Sequence, residues 1–348
     1  MRSVVVAAGC AFPSGPTVAL ADIALRTSLC LTIRHPFFVD ACGIPVKGIL
    51  CRAQPAAQRR WLELADAAMR DLASHLPAPI WAAIERSPIP LWLVLSASER
   101  PGRPESLETS LTEILARHWP MLHIVRGGHA ACAQAIAAAR AWIDEHGTPA
   151  CVLAVDSAWP AETLSWLEYR GLLHAAHEPY NGQSRANPYG RVPGEGSAAF
   201  MLAPRGLYPA WCELAGIGQA DETLTFDTDG PCVGAGLSAA AHAALGEAGL
   251  TPQAISTIVH DFNGEPYRAD EFGFTALRLA DHLADGWQRL TPALASGDLM
   301  SASLATHLAI AAWRMHQAGP AHAGPTLLLA SNDDSPRAAL VLTAPESR

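Results

Sequence analysis

Lysine is almost absent from this sequence, and no basic run compensates for its absence. All but one of the 24 basic residues are arginine, the exception being Lys47, and 33 acidic residues give a formal net charge of −9. A protein that follows a phosphate backbone or lies on anionic lipid needs clustered lysine and arginine. The composition therefore predicts no nucleic acid and no membrane among the partners.

Long apolar runs and paired cysteines are also missing. No stretch reaches the roughly 18 to 20 uninterrupted apolar residues that a membrane-spanning helix needs, and the chain opens on Val4-Val5-Val6 without the parts of a signal peptide. The eight cysteines are scattered with no C-x-x-C pair, which argues against a disulfide framework and against a zinc knuckle. We expect a cytoplasmic protein with reduced thiols.

The common catalytic and nucleotide-binding signatures are absent as well. There is no G-x-S-x-G, no G-x-x-x-x-G-K-S and no H-E-x-x-H, and the 14 histidines show no ligand spacing supported by a second cluster. We therefore expect neither a metal nor another cofactor.

The residues that are present alternate between short apolar runs and alanine-rich helical stretches, which is typical of a layered α/β protein. With 348 residues, half of them hydrophobic, the chain can bury a large core. In the first half the pattern predicts strands at 4–8, 91–96, 122–125, 151–155 and 197–202, and helices at 17–28, 53–76, 107–119 and 130–145.

The same order of elements recurs in the second half. The pattern predicts strands at 211–217, 255–260, 326–330 and 338–342, and helices at 234–248, 271–283 and 301–317. Asparagine, glycine and proline crowd residues 179–193, which predicts an irregular loop there. We predict an N-terminal half over 1–205, with a helical insertion at about 53–90, and a C-terminal half over 206–348.

One stretch carries the pattern of a known family. The stretch reads Asn187-Pro-Tyr-Gly-Arg-Val-Pro-Gly-Glu-Gly-Ser-Ala-Ala-Phe-Met-Leu. It resembles the segment of β-ketoacyl synthases in which a loop leads into G-E-G-A and a core strand. Gly194-Glu195-Gly196 is its most specific part. Four weaker blocks, at 127–140, 259–260, 297–303 and 331–342, fall in the ketosynthase order. The resemblance implies a thiolase-like α/β fold, with duplicated αβαβα layered halves and two central mixed sheets.

The opening segment is similar to a narrower group. Three parts of the chain carry this pattern: Ile33-Arg-His-Pro-Phe-Phe-Val-Asp-Ala-Cys-Gly-Ile-Pro-Val, the long helix after it, and the terminal Ser331-Asn-Asp-Asp-Ser-Pro-Arg-Ala-Ala. Together they resemble ketosynthase-like proteins encoded beside type VI secretion genes. This similarity implies a role in loading or stabilising a secretion effector or spike.

The resemblance places the nucleophile of a condensing enzyme at the start of a buried helix. There the helix dipole and free backbone N–H groups lower a thiol pKa and form an oxyanion hole. Aligned on Ile136 and Arg140, that position falls on Gly128 or His129, neither of which forms a thioester. Cys132 lies about one turn inside the helix, so we predict a buried structural thiol and keep a relocated nucleophile as the alternative.

The residues that polarise a malonyl thioester in the family are also replaced. His260 matches the first family histidine, although an ordinary hydrogen-bonded histidine is an equal interpretation. Asp298 lies near the position of the second family histidine. A carboxylate there would repel an enolate, so we expect Asp298 to cap the following helix instead. The family lysine has no counterpart, and Ser331 to Pro336 replace the glycine-rich gating loop with a stiff polar one.

Two functions remain open. The first is a catalytically inactive ketosynthase-like scaffold or adaptor that binds a protein, such as a type VI secretion effector or spike. The alternative is an acyl-transfer or chain-length-factor-like protein of fatty acid or polyketide synthesis that works with a ketosynthase and an acyl carrier protein. It would act either without a nucleophile or as an enzyme that uses Cys132 with His129 and His260. The resemblance also implies a homodimer formed through the region before Arg140.

Overall fold

The computed structural model describes residues 3–41, 43–51, 57–175, 187–320 and 322–345. Residues 179–186 of the predicted loop and 53–56 of the predicted insertion helix lie outside the described residues.

The N-terminal half is built on strands that are buried along their whole length. In chain order its elements are β1 (Ser3–Ala11), α1 (Val18–Thr27), β2 (Thr32–Val39), β3 (Pro45–Ile49), α2 (Ala57–His75), α3 (Ala78–Arg86), β4 (Pro90–Leu95), α4 (Leu107–Leu115), β5 (Met121–Arg126), α5 (Ala131–His146), β6 (Ala150–Ser157), α6 (Ala161–Tyr169) and β7 (Glu195–Pro204). Every residue of β1, β4, β6 and β7 is buried, because these strands are almost continuous runs of apolar and small residues.

The C-terminal half follows the same plan. Its elements are β8 (Cys212–Asp221), α7 (Ala235–Ala248), β9 (Ile255–His260), α8 (Pro266–Arg278), β10 (Leu283–Leu290), α9 (Ala293–Ser296), α10 (Ser303–Ala318), β11 (Thr326–Ser331) and β12 (Pro336–Thr343). Short 3₁₀ turns precede β10 and α10.

Ten strands form one mixed sheet in the order β10-β9-β11-β12-β8-β1-β7-β6-β4-β5. Each half contributes its strands in the same spatial order, with two antiparallel pairings on the inner side and two parallel pairings on the outer side. The duplication predicted from the recurring sequence pattern is therefore present in the topology. The boundary at residue 205 stays a prediction.

The two central sheets expected from the sequence are the two halves of this single sheet. β1 and β8 join them by antiparallel pairing of Ser3 with Leu214, Val4 with Glu213 and Val5 with Cys212. Both strands lie at the inner edge of their half, where unpaired backbone groups need hydrogen-bond partners. Mutual pairing satisfies these groups and makes the sheet continuous.

Two central helices position the candidate site. α5 and α10 contact each other and strands of both halves, so they lie between the halves. α2 covers β1, β6 and β7, and α7 covers β8 and β12. One apolar stripe of α2 is buried against this core; its members are Trp61, Leu64, Ala65, Ala68 and Leu72. No described helix combines the length and the apolar composition needed to cross a bilayer.

Several elements differ from the sequence prediction. The helix predicted at 271–283 is α8, which begins earlier because Pro266 occupies its first turn, where proline is favoured. The edge strand β10 follows it and was missed, since only Leu283 of this strand is buried and no apolar run marks it. The hairpin of β2 and β3, which lies outside the large sheet, and the helix α6 were not predicted either, while α3 lies within the helical insertion predicted at about 53–90.

Candidate functional site

The candidate site lies at the amino-terminal end of α5, where β5 turns into the helix. Because β4, β5 and β6 are parallel neighbours, their carboxyl ends meet at the same edge of the sheet. The residues that follow these strands surround a cleft of about 350 Å³. Its lining includes Ser96, Arg100, Gly128, His129, Asp156 and Asp333.

Gly128 has no room for a side chain. A Cβ built on this residue would come within 2.8 Å of Oδ1 and 2.9 Å of Cγ of Asn332. Asn332 is buried, and its Oδ1 accepts a hydrogen bond of 2.7 Å from the backbone N–H of Ala130. The amide therefore caps the start of α5 and uses one of the N–H groups that an oxyanion would otherwise find there.

His129 occupies the other candidate position, and both of its ring nitrogens have partners. Nε2 lies 2.7 Å from Oδ1 of Asp298, and Nδ1 lies 3.4 Å from Nη2 of Arg268. Since arginine only donates, this geometry assigns the acceptor role to Nδ1 and makes Nε2–H the donor to the carboxylate. His129 is 3% exposed. Because both ring nitrogens already have partners, no lone pair of the ring is left to act on a substrate.

Asp298 fixes His129 and caps a short turn, whereas the sequence analysis expected it to cap the following helix. Its Oδ1 accepts the backbone N–H of Met300 over 2.8 Å at the start of the turn that leads into α10. Burial raises the pKa of this carboxyl, but the adjacent His129, Arg191 and Arg268 outweigh that effect and hold the pKa well below its usual range. Asp298 is therefore ionised and engaged in structure.

Arg191 is the first of two buried arginines behind the site. Its Nη2 donates to Glu265 over 2.9 Å and to Asp333 over 2.8 Å, and its Nη1 lies 3.5 Å from Oδ2 of Asp298. The side chain is fully buried. A charge in that environment is stable only when it is paired, so Arg191 ties three segments of the chain together.

Arg268 on α8 is the second buried arginine. It donates to Asp261 over 3.0 Å, to Glu265 over 3.0 Å and to Asp333 over 3.1 Å. Asp333 belongs to the loop between β11 and β12, and this ion pairing anchors that loop beside the cleft. The loop between β11 and β12 is therefore fixed by charge.

His260 is not one of the described residues that line the cleft. Its Nδ1 accepts the backbone N–H of Phe262 over 3.3 Å, its Nε2 lies 3.1 Å from Oγ1 of Thr291, and its ring stacks on Phe272 at 4.1 Å between centroids. Burial lowers the pKa of His260 to about 3. The residue is thus a neutral histidine with a hydrogen-bond partner at each ring nitrogen.

Two further buried groups belong to the central helices. Cys132 on α5 is fully buried, and burial raises the pKa of its thiol far above the ordinary range, so no thiolate forms. His307 on α10 is also buried, and burial lowers its pKa to about 4. Sequence analysis did not identify His307, because nothing distinguishes it within an alanine-rich helix.

The Gly194-Glu195-Gly196 motif performs a packing role. Glu195 accepts hydrogen bonds from Arg60 over 2.8 and 2.9 Å and from Ser157 over 2.9 Å, all in the buried interior. A Cβ on Gly194 would come within 2.2 Å of the carbonyl oxygen of Ser296, so only glycine allows this approach.

One group of potential metal ligands lies together among the described residues: Glu222, Cys232 and Glu271. Oε1 of Glu271 already accepts a 2.5 Å hydrogen bond from Arg337, and Oε2 of Glu222 accepts the backbone N–H of Gly236 over 2.8 Å. Burial raises the pKa of the Cys232 thiol. Both carboxylates therefore already accept hydrogen bonds from the chain itself.

The structure brings three of the predicted residues together: Gly128, His129 and Asp298. It places Cys132 and His260 in the core. The residues that shape the site and were not identified from the sequence are Arg100, Arg191, Arg268 and Asn332. A buried arginine carries no local sequence signal, because its carboxylate partners come from distant segments.

No family model matches the sequence, and no curated protein matches it. Solved structures match the fold over nearly the whole chain. A type II PKS acyl-carrier protein in complex with its ketosynthase bound to the hexaketide (AntDE:AntF) matches with a TM-score of 0.79 and 15% identity, over 99% of this chain and 99% of that one.

Two further matches are assemblies of a ketosynthase with a chain length factor. The ishigamide ketosynthase/chain length factor gives a TM-score of 0.70 and 17% identity, over 99% of this chain and 100% of that one. The ketosynthase ApeO in complex with its chain length factor ApeC from Xenorhabdus doucetiae gives 0.72 and 15%, over 99% and 98%. At these identities the likeness establishes the fold alone, which is that of the thiolase-like ketosynthases.

Proposed function

We propose that this chain is a subunit of ketosynthase fold that carries out no condensation itself and acts by binding a protein, as a chain-length-factor-like companion of an active ketosynthase and its acyl carrier protein. The observation that carries this proposal is the position of Asn332. Its amide fills the space that a nucleophilic side chain on residue 128 would need and occupies the N–H of Ala130.

The other groups at the site support the same proposal. Decarboxylative condensation needs neutral donors aimed at the developing enolate. His129 donates instead to the ionised carboxylate of Asp298, and His260 makes its hydrogen bonds outside the cleft lining. Cys132, the nearest thiol, is fully buried and protonated. His129, His260 and Cys132 therefore offer neither a nucleophile nor a free acid to a thioester in the cleft.

The partner is inferred from the solved structures of the same fold. Two of them pair a ketosynthase with a chain length factor, and another holds an acyl-carrier protein with its ketosynthase. A non-condensing chain of this fold gains a function when it completes such an assembly. We extend the proposal to a dimer formed through β5, the outer strand of the N-terminal half, either with a second copy or with a related ketosynthase.

A second candidate function is that of an adaptor for a type VI secretion effector or spike. The segment that resembles the secretion-associated proteins forms the hairpin of β2 and β3, outside the large sheet. Phe37 on this hairpin is 90% exposed, which is unusual for an aromatic side chain and favours contact with another protein.

Intact-protein mass spectrometry after incubation with acyl-CoA and acyl-carrier thioesters tests the loss of catalysis. We expect no mass gain on the unmodified chain and none on Cys132→Ser. A gain that disappears in Cys132→Ser would show a relocated nucleophile and overturn the proposal. Mass spectrometry of proteins that copurify with the tagged chain then separates the two candidates: a ketosynthase or carrier protein supports the first, and an effector or spike supports the second.

A further inference from the structure

A second cavity lies among the helices of the N-terminal half and shares no lining residue with the cleft. It encloses about 540 Å³ between α2, α3 and α4, and we call it the α2–α4 groove. Its α2 side runs from Leu62 to Leu76, a length of about 20 Å at the usual rise of an α-helix. Its apolar wall includes Leu62, Met69, Leu76, Trp81, Ile84 and Ile114.

At the equivalent position of the C-terminal half, two helices pack directly against each other. α7 covers the counterparts of the strands that α2 covers, and α8 connects the two outer strands as α4 does. A Cβ on Gly234 before α7 would come within 2.6 Å of the carbonyl oxygen of Glu271 on α8, and Oγ of Ser238 donates to Oγ1 of Thr275 over 3.3 Å. The duplicated architecture can therefore close this seam, whereas α2 and α4 leave it open.

Large apolar side chains from two walls of the groove reach the solvent. Trp81 on α3 is 42% exposed and Ile114 on α4 is 47% exposed. Met69 on α2 is partly buried beside them, and its flexible thioether can adapt to the shape of a partner. An α-helix, about 10 Å across with its side chains, covers side chains of two walls at once, which a single extended chain does not. The groove therefore favours a helix as its occupant.

The charges at the groove determine which helix fits. On the α2 side, Asp66 and Arg70 pair with each other. On the α4 side, Arg117 and His118 are exposed, and Arg117 makes no ion pair with another described residue. Residues 206–348 hold 16 of the 33 acidic residues and only 6 of the 24 basic ones, so the C-terminal half repels an acidic partner. A helix with a carboxylate beside its apolar face is complementary to the groove and is disfavoured elsewhere.

We infer that the α2–α4 groove binds an amphipathic helix of a partner protein. The apolar face of that helix packs on Met69, Trp81 and Ile114, and a flanking aspartate or glutamate pairs with Arg117. Helices that bind in a groove present their apolar residues at positions i, i+3, i+4 and i+7. The bound helix fills the seam that α7 and α8 close between themselves. This inference rests on the proposed function only in that the chain acts by binding a protein.

Selection from a phage library of random helical peptides provides the test. The library is first passed over immobilised Ile114→Asp, which removes peptides that bind elsewhere, and is then selected on the unmodified full chain. We expect enrichment of peptides that combine apolar residues at helical spacing with an excess of aspartate and glutamate. The most enriched peptide, made with a fluorescent label, should bind Ile114→Asp at least about ten times more weakly, because its apolar face would bury the new carboxylate. Arg117→Gln should weaken binding about three- to tenfold at low salt and by less at high salt.

Ile23→Asp and Arg34→Gln are the matched controls. Ile23 is a 48% exposed isoleucine of α1, Arg34 is an exposed arginine of β2, and neither lines the groove. Both variants should bind the peptide as the unmodified chain does, and circular dichroism should show the same fold in all four variants.

No enrichment, enrichment of basic peptides, or undiminished affinity in Ile114→Asp or in Arg117→Gln would overturn the inference. Such a result, obtained on a chain that gains no acyl mass, would leave the proposed function intact. Acylation of the chain with normal peptide binding would overturn the proposed function alone.

Discussion

Asn332 stands where a side chain of residue 128 would have to lie, since a Cβ on Gly128 would come within 2.8 Å of its Oδ1. The two residues are more than 200 positions apart in the sequence, and the hydrogen bond from Ala130 to Asn332 joins the start of α5 to the loop after β11. A larger residue at 128 and this amide exclude each other. The contact between Gly128 and Asn332 therefore couples the absence of a side chain at residue 128 to the position of the loop after β11.

The first prediction concerns this exclusion. Gly128→Ala should lower the free energy of unfolding by about 1–3 kcal/mol, because the added methyl group overpacks a buried contact. Combining it with Asn332→Ala should cost less than the sum of the two single changes, since the second substitution removes the clash. Urea unfolding of the four proteins measures this coupling.

Gly246→Ala is the control for that experiment. Gly246 lies in α7 with no atom within 4 Å of a built Cβ, so alanine there should be neutral or stabilising by up to about 1 kcal/mol. A stable Gly128→Ala variant, with a double variant that is simply additive, would contradict the exclusion of a side chain at this position.

Much of the fold was predictable because its strands are buried and therefore apolar. β9 was predicted at its observed bounds, β4 and β11 within one residue of theirs, and β1, β6 and β12 as shorter segments inside the observed strands. β10 buries only Leu283 and the hairpin strand β2 buries none of its residues, so their sequences lack the apolar run by which a buried strand is recognised. The continuity of the sheet could not be predicted either, since three residue pairs between β1 and β8 create it.

The candidate site was predictable only where a local pattern marks it. The resemblance to the ketosynthase pattern, aligned on Ile136 and Arg140, located Gly128 and His129 at the start of α5. The same resemblance drew attention to Asp298, whose carboxylate accepts the backbone N–H of Met300. The ion pairs of Arg191 and Arg268 join residues from four separate segments, and tertiary packing alone brings these together. The spacing of these residues in the sequence therefore does not predict that they form one network of ion pairs.

The second prediction concerns that network. Arg191→Met should destabilise the chain by about 3–5 kcal/mol, because Glu265, Asp333 and Asp298 lose a buried positive charge between them. The exposed pair of Arg70 and Asp66 provides the control, and Arg70→Met should cost at most about 0.5 kcal/mol. Thermal unfolding of both variants at neutral pH measures the difference. Equal costs would show that the buried arginine contributes no more than a surface one.

The third prediction concerns pH. Burial holds the pKa of His260 at about 3, below the ordinary value of 6.5, so the unfolded chain takes up a proton in a range where the folded chain does not. The stability that comes from the neutral residue is complete above about pH 6.5 and is lost as the pH falls toward about 3. Between about pH 7.5 and pH 5 this loss amounts to about 2 kcal/mol.

Urea unfolding at these two pH values tests this expectation. His260→Gln should lose about 2 kcal/mol less stability on acidification than the unmodified chain, since glutamine has no proton to take up. His118 is exposed, and His118→Gln should keep the original pH dependence. A His260→Gln variant whose stability falls as steeply as that of the unmodified chain would mean that this histidine is not held neutral by the fold.

The fourth prediction concerns the edge of the sheet. Among the described strands β5 pairs only with β4, so its outer backbone groups are available to a second strand. Leu122, Ile124 and Val125 are only partly buried and continue the main core to this edge. Ile124→Arg should therefore convert a dimer of about twice the chain mass into a monomer in light scattering at micromolar concentration.

Leu277→Arg introduces the same charge at an exposed leucine of α8 and should leave the dimer intact. If both variants stay dimeric, the contact lies elsewhere on the surface. If the unmodified chain is already monomeric, the homodimer is wrong, and β5 remains available to a different subunit. Mixing with a copurified ketosynthase should then give a heterodimer that Ile124→Arg abolishes and Leu277→Arg preserves, because both kinds of dimer would use the same unpaired strand edge.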